Sequence, residues 1–175
     1  LSHPCQLMAD IMTIEEHRGP VAGKVLAWCG DGNNVAASLV HAAAQFDFEL
    51  RVASPKKFTM WGQVVNWARE SGAKVHFTTD PNEAVSGADA VFADTWVSMG
   101  QKGREKRKKI LEPYRVTESL MEKAKSDALF LHCLPAHRGE EVDAVVIDVS
   151  QSVFWDDAVY WLLAYKAILL WCLIL

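Results

Sequence analysis

Two hydrophobic periodicities exchange regularly along this chain, and that exchange limits its fold more than any other feature. Apolar, β-rich runs precede helical ones: VLAWCG (25–30) comes before VAASLVHAAAQF (35–46), ELRVAS (49–54) before GQVVNWARESG (62–72), and KVHFTT (74–79) before DPNEAVSGA (80–88). In the last of these, Asp80 is placed to cap a short helix that has Pro81 at its first position. Two more apolar runs, AVFADTW (90–96) and ALFLHCLP (128–135), are separated by a polar loop and by TESLMEKAKS (117–126), which reads as a helix capped by Thr117. Strands that are apolar on both faces need helices on both sides. The expected fold is therefore α/β: a three-layer Rossmann-like domain with a mainly parallel sheet of about five strands, covered by helices on both faces. Such sheets bind ligands at the carboxyl ends of their strands.

With 175 residues the chain can bury one sizeable core but is short for two domains. A single domain over 1–175 is expected, with a leading helix within 1–18 and an apolar closing helix over 155–175. Charged residues make up 23% and the net charge is −4, so no basic footprint suits a polyanion and nucleic acid is not an expected partner. Cys5, Cys29, Cys133 and Cys172 lack paired spacing, which suits a reducing compartment and a cytoplasmic location. The start, LSHPCQ, has no basic-then-apolar leader and reads as cut from something longer.

Three loops fall at carboxyl ends of strands: GDGNN (30–34), DTWVSMGQ (94–101) and HCLPAHRGEE (132–141); a fourth segment, HPCQ (3–6), precedes the helix LMADIMTIEEH. GDGNN resembles part of a dinucleotide fingerprint. However, Val35 replaces its third glycine, and the next strand ends in Ala53 and Ser54 where an acidic ribose ligand is needed, so no nicotinamide cofactor is expected. His132, Cys133 and His137 lack the spacing of a structural zinc site, and no metal is expected. As strand neighbours, His132 and Cys133 point to opposite faces and cannot act as a thiolate–base pair. The run KGREKRKK (102–109) has six basic residues in eight with no aromatic between them, and reads as a solvated, mobile loop.

Taken in order, HPCQ, GDGNN, DTWVSMGQ and HCLPAHRGEEV resemble the ornithine carbamoyltransferase family, over residues 3 to about 158 and in its second, ornithine-binding domain. DTWVSMGQ is similar to the family's amino-acid-binding loop and favours the ornithine branch over the aspartate branch. The resemblance implies attack of ornithine's δ-amino group on the carbonyl carbon of carbamoyl phosphate, giving citrulline and phosphate, with no metal or organic cofactor. It implies that Asn34, Asp94, Ser98 and Met99 hold ornithine, with Asp94 pairing the α-ammonium group. It also implies that His3 and Gln6 contact the carbamoyl group while Cys133 and Leu134 orient the reacting atoms. One carboxylate with several neutral hydrogen-bonding groups suits an amino acid. Preplaced donors and the positioning of two substrates would supply the acceleration.

Two departures qualify the resemblance. The Ser-x-Arg-Thr segment with which the family grips phosphate does not occur in the 175 residues. In the final helix, the family's acidic-Asn-Arg positions are Val159, Tyr160 and Trp161, and two further polar positions are Leu163 and Tyr165. Tryptophan cannot present a charged fork to phosphate. The stretch AVYWLLAYKAILLWCLIL (158–175), with Lys166 as its one charge, could span a membrane, fill a core or meet another protein. A span needs roughly 20 apolar residues with basic flanks to orient it, and Lys166 falls near the middle, so no membrane is expected. Val159, Tyr160, Trp161, Leu163 and Tyr165 are instead expected to form an interface, by self-association or with a protein partner. The clustered apolar replacements point to an engineered chain. The expected function is a weak ornithine half-site, inactive alone, on a scaffold that presents this interface. The alternative is an active transferase fragment that needs a complementing N-terminal domain.

Overall fold

Five parallel strands form one sheet in the order β3-β2-β1-β4-β5. The computed structural model describes residues 2–97 and 102–174. Along the chain come α1 (Pro4–Arg18), β1 (Val25–Cys29), α2 (Asn34–Phe46), β2 (Glu49–Ala53), α3 (Gly62–Glu70), β3 (Val75–Thr78), α4 (Pro81–Val85) and β4 (Ala90–Ala93). They are followed by α5 (Arg104–Leu111), α6 (Glu118–Met121), β5 (Leu129–His132), α7 (Ala144–Ile147) and α8 (Phe154–Ile174). The α/β class and the five-stranded parallel sheet agree with the expectation from sequence.

The two-faced strands are the reason for the layering. Leu26 and Trp28 of β1, Phe92 of β4 and Leu129 and Leu131 of β5 join a core with α1, α2 and α3. Their neighbours Ala27, Cys29, Val91, Ala93 and Phe130 join a second core with α4, α6 and α7. Alternate residues point to opposite faces of a strand, so both sets are buried only if both faces are covered. β1 pairs β2 on one side and β4 on the other. The crevice at the carboxyl ends of β1 and β4 is therefore the topological switch point, where open α/β sheets take their ligands.

Two segments differ from expectation. Thr117 does cap α6, accepting from Leu120 N at 3.1 Å, but the helix ends at Met121 rather than reaching 126. The following backbone bonds sideways: Gly87 N donates to Lys123 O at 2.8 Å and Lys125 N to Ala88 O at 3.0 Å. Those tertiary bonds replace further helical turns. The basic run is also not a mobile loop. It forms α5, whose spacing sends Leu111 into the core while Arg107 and Lys108 meet carboxylates.

α8 packs along α1, with Ala164 buried and Tyr160 and Ile168 half-buried on the inward side. Most of its other large apolar side chains face outward, from Trp155 and Leu162 to Leu173, which is 81% exposed. By length and composition α8 could cross a membrane: its mean hydropathy reaches 1.6 and only 11% of that window is buried.

Candidate functional site

The amino-acid side of the site is built around Asp94, directly after β4. Its Oδ2 accepts from Asn33 Nδ2 at 2.6 Å, and its Oδ1 accepts from the Cys133 thiol at 2.9 Å and from Thr95 N at 2.7 Å. Each partner sits at the end of a different strand, so the carboxylate is fixed by the sheet itself. Asn33 also caps α2, with Oδ1 accepting from Val35 N and Ala36 N. Burial, then the adjacent Asp94 charge, pushes the Cys133 thiol far up. Cys133 is therefore a proton-bearing donor to Asp94 and not a thiolate nucleophile.

The neighbouring loops are clamped by Arg107. Its guanidinium pairs with Asp31, donates from Nε to Trp96 O at 3.0 Å, and lies 4.2 Å from the centre of the Phe58 ring. Burial raises the Asp31 carboxyl, while the Arg107 contact opposes that shift. Gly32 allows the close approach this clamp needs, because a Cβ there would stand 2.5 Å from Met60 N. Arg107 lay hidden in a charge run. Its signal was the three-and-four spacing from Arg104 to Leu111.

On the other side of Cys133, a cavity of about 670 Å³ is lined by His3, Gln6, Cys133, Leu134 and Trp161, with His132, Pro135, Ala136, Asp157 and Ala158. The four residues assigned to carbamoyl chemistry, His3, Gln6, Cys133 and Leu134, thus line one cavity. His3 stands at the start of α1, where its N donates to Ser38 Oγ at 2.7 Å. Leu134 has φ +52°, an unusual left-handed conformation for a bulky side chain, and precedes a cis bond to Pro135. Trp161 lines the cavity from α8 while remaining exposed, and its ring centre lies 5.0 Å from that of Tyr165 in an edge-to-face pair.

Among the residues assigned to ornithine, Asp94 sits in the crevice and Asn34 opens α2, where its carbonyl accepts from Ser38 Oγ at 2.9 Å. The side chain that holds Asp94 is Asn33, the preceding residue, which sequence reasoning missed. Its signal was an asparagine immediately before an apolar helix, a capping pattern. Ser98 and Met99 lie outside the described residues. In the assigned interface set, Val159, Trp161, Leu163 and Tyr165 are exposed. Tyr160 differs: it is half-buried and its hydroxyl donates to the Glu16 carboxylate on α1, so it serves the helix pair.

Behind the cavity, Glu141 is fully buried and accepts on Oε1 from His132 Nε2 at 3.2 Å and from His137 N. Burial pushes its carboxyl up, but these hydrogen bonds outweigh burial and hold it below the usual range. His132 and Cys133 point apart, one to Glu141 and one to Asp94. His137, Glu140 and Glu141 could each bring one ligand atom within 4.8 Å of the others. However, Glu140 is already paired with Lys108 at 2.6 Å and Arg104 at 3.2 Å, which competes with a cation.

The model of the aspartate/ornithine carbamoyltransferase family, Asp/Orn binding domain, matches residues 22–172. The match therefore runs through most of α8, beyond the residue 158 expected from the motifs. The ornithine carbamoyltransferase of Brucella abortus (strain 2308) is 56% identical over 172 residues, covering 98% of this chain and 55% of that protein. The enzyme of Nitrobacter winogradskyi is 57% identical over 172 residues, covering 98% and 56%. Among solved structures, ornithine carbamoyltransferase from Pyrococcus furiosus superposes with a TM-score of 0.90 at 45% identity, covering 97% of this chain and 56% of that one. The anabolic enzyme from Campylobacter jejuni gives 0.90 at 35% identity, covering 98% and 58%. The chain spans about half the length of these relatives.

Proposed function

For a chain that belongs to the aspartate/ornithine carbamoyltransferase family, as its Asp/Orn-binding domain, we propose that these residues supply the ornithine half of a carbamoyl-transfer site. The observation that carries this reading is the Asp94 carboxylate, held by Asn33, Thr95 and Cys133 at the switch point. A carboxylate offers about four lone-pair sites. Among the described residues three are occupied by fixed donors, which leaves the fourth for an α-ammonium group. The adjoining cavity then receives the reacting end, where His3 and Gln6 meet a carbamoyl group and the Cys133–Leu134 segment aligns the δ-amino nucleophile with it. Asn34, Ser98 and Met99 complete the ornithine contacts in this reading. The reaction takes carbamoyl phosphate and ornithine to citrulline and phosphate. No cofactor or metal is assigned, and the free cysteines suit a cytoplasmic protein.

Titration with ornithine is expected to shift the backbone amides of Asp94 and Thr95 with roughly millimolar affinity, about −4 kcal/mol. Asp94→Asn should remove the response. A wild-type spectrum that stays unchanged at tens of millimolar ornithine would overturn the assignment.

Alone, the chain is expected to make no citrulline. No Ser-x-Arg-Thr occurs in it and Trp161 stands where the family carries Arg; each missing charge-assisted hydrogen bond is worth about 1.5–3 kcal/mol. An assay free of host enzyme tests this. Turnover by the chain alone would refute it, while turnover only on adding a relative's N-terminal domain would favour the complementing-fragment reading.

The outward side of α8 is the second part of the proposal: a scaffold surface for self-association. Trp161 and Tyr165 form an aromatic anchor beside exposed Leu162 and Leu169, and a two-fold dimer is the commonest way for one chain to cover such a patch. The clustering of apolar side chains supports an engineered helix. Replacing Trp161 with Arg and Tyr165 with Gln should weaken the dimer at least tenfold, as loss of a hot spot of about 2 kcal/mol requires. Light scattering reads the result. A wild-type chain that is monomeric at high micromolar concentration overturns self-association, and vesicle binding would assign the face to a membrane instead.

A further inference from the structure

Beneath the cavity, two acidic side chains are buried against one amide. Gln6 Nε2 donates to Asp10 Oδ1 at 3.0 Å and to Asp157 Oδ2 at 2.6 Å, joining the first helix to the last. The exposures of Gln6, Asp10 and Asp157 are 4%, 2% and 1%, and Asp157 Oδ1 is buried with no hydrogen-bond partner. An amide has two donors at one end and one acceptor oxygen at the other. Two carboxyl groups on the same side take both donors, so the acceptor end must face away from them.

We propose that Asp10 and Asp157 are positioning residues that lock the Gln6 carboxamide with Oε1 turned to the cavity, so that its wall offers an acceptor to an incoming N–H donor. The ligand class is a carbonyl-bound amino group, which for the carbamoyl group rests on the reading above. Two buried carboxylates this close cannot both stay ionised. Burial, then the facing Asp157 charge, pushes Asp10 well up, and burial pushes Asp157 up to about 6. The pair therefore retains a proton. Thr13 on α1 gives its hydroxyl to Ala9 O at 2.9 Å, and the Asp10 charge is one of the lesser causes that raise the Cys133 thiol. His3 and His132 line the same cavity, and His17–Asp156, at 2.9 Å, and Glu16–Tyr160 tie α1 to α8 on the exposed side.

The side-chain amide of Gln6 reports the lock directly in the unliganded, ¹⁵N-labelled chain. Its two protons should exchange at least tenfold more slowly than those of exposed Gln63, and its ¹⁵N shift should move with a midpoint near pH 6, together with the Asp157 carboxyl carbon. Asp157→Asn keeps an acceptor but removes the Asp157 titration, so slow exchange should persist while the response near pH 6 disappears. Should that variant not fold, Asp10→Asn tests the same lock: slow exchange should persist while the midpoint of the ¹⁵N response moves from that of the wild type. His17→Gln should leave the midpoint in place. Gln6 protons that exchange as fast as those of Gln63, or a ¹⁵N shift indifferent to pH between 5 and 8, would overturn the proposal. Because no ornithine is present, such a failure is distinct from failure of the ornithine titration, which reads Asp94.

Discussion

Replacing Glu141 with alanine is expected to destabilise the domain by about 3 kcal/mol or more, because two buried donors, His132 Nε2 and His137 N, each lose a hydrogen bond to a charged acceptor worth about 1.5–3 kcal/mol. Glu141 and His132 side chains are both 0% exposed, so the imidazole would lose its partner where water cannot reach it. His137 N would lose its acceptor as well. For a chain of this size each kcal/mol lowers the melting midpoint by about 2–4 °C, so a fall of roughly 6 °C or more should appear in calorimetry. The neighbouring Glu140 is the internal control. Its bonds to Lys108 and Arg104 lie nearer the surface, and Glu140→Ala should cost no more than about 1 kcal/mol. Equal losses from the two variants would show that the buried pair contributes nothing special. The segment Glu141 anchors carries Cys133 and Leu134, so Glu141→Ala should also weaken the ornithine response.

Stability should fall as pH rises through the weakly acidic range, because of the Asp10–Asp157 pair. Both folded-state values lie above the unfolded one, near 3.9. A raised acid contributes stability that is fully present below the unfolded value and lost as pH climbs through the folded one. For Asp157, at about 6, the loss develops between about pH 4 and 6 and reaches roughly 3 kcal/mol. Asp10 extends it to higher pH. Several other carboxyls have the opposite sign. Asp89, Glu140 and Glu141 are held low by lysine, arginine, histidine and backbone donors despite burial. Their stabilisation is present above the unfolded value and lost only as pH drops through the folded values. From about pH 5 upward the pair is therefore the larger influence, and Asp157→Asn should flatten the curve. Parallel melting curves for wild type and variant from pH 4.5 to 8 would sink this account.

Neighbouring residues alone decided much of this molecule. Leu26, Trp28, Leu129 and Leu131 alternate with Ala27, Cys29 and Phe130 within a few positions of each other, and that local pattern requires a sheet covered on both faces. The order of strands and turns then located the crevice, and the resemblance carried by HPCQ, DTW and HCLP assigned Asp94 to ornithine, His3 and Gln6 to the carbamoyl group, and Cys133 and Leu134 to orienting the reacting atoms. Periodicity and motif spacing reach no further than one element and its loop. Contacts between distant segments needed the tertiary structure. The turns after Met121 bond to the α4–β4 loop instead of continuing a helix; Arg107 leaves a charge run to clamp Asp31; and Asn33 grips Asp94. Gln6 meets Asp157 across 151 positions of chain. The energies of such contacts depend on burial and distance, which arise only when separate elements pack together, and no local pattern records them.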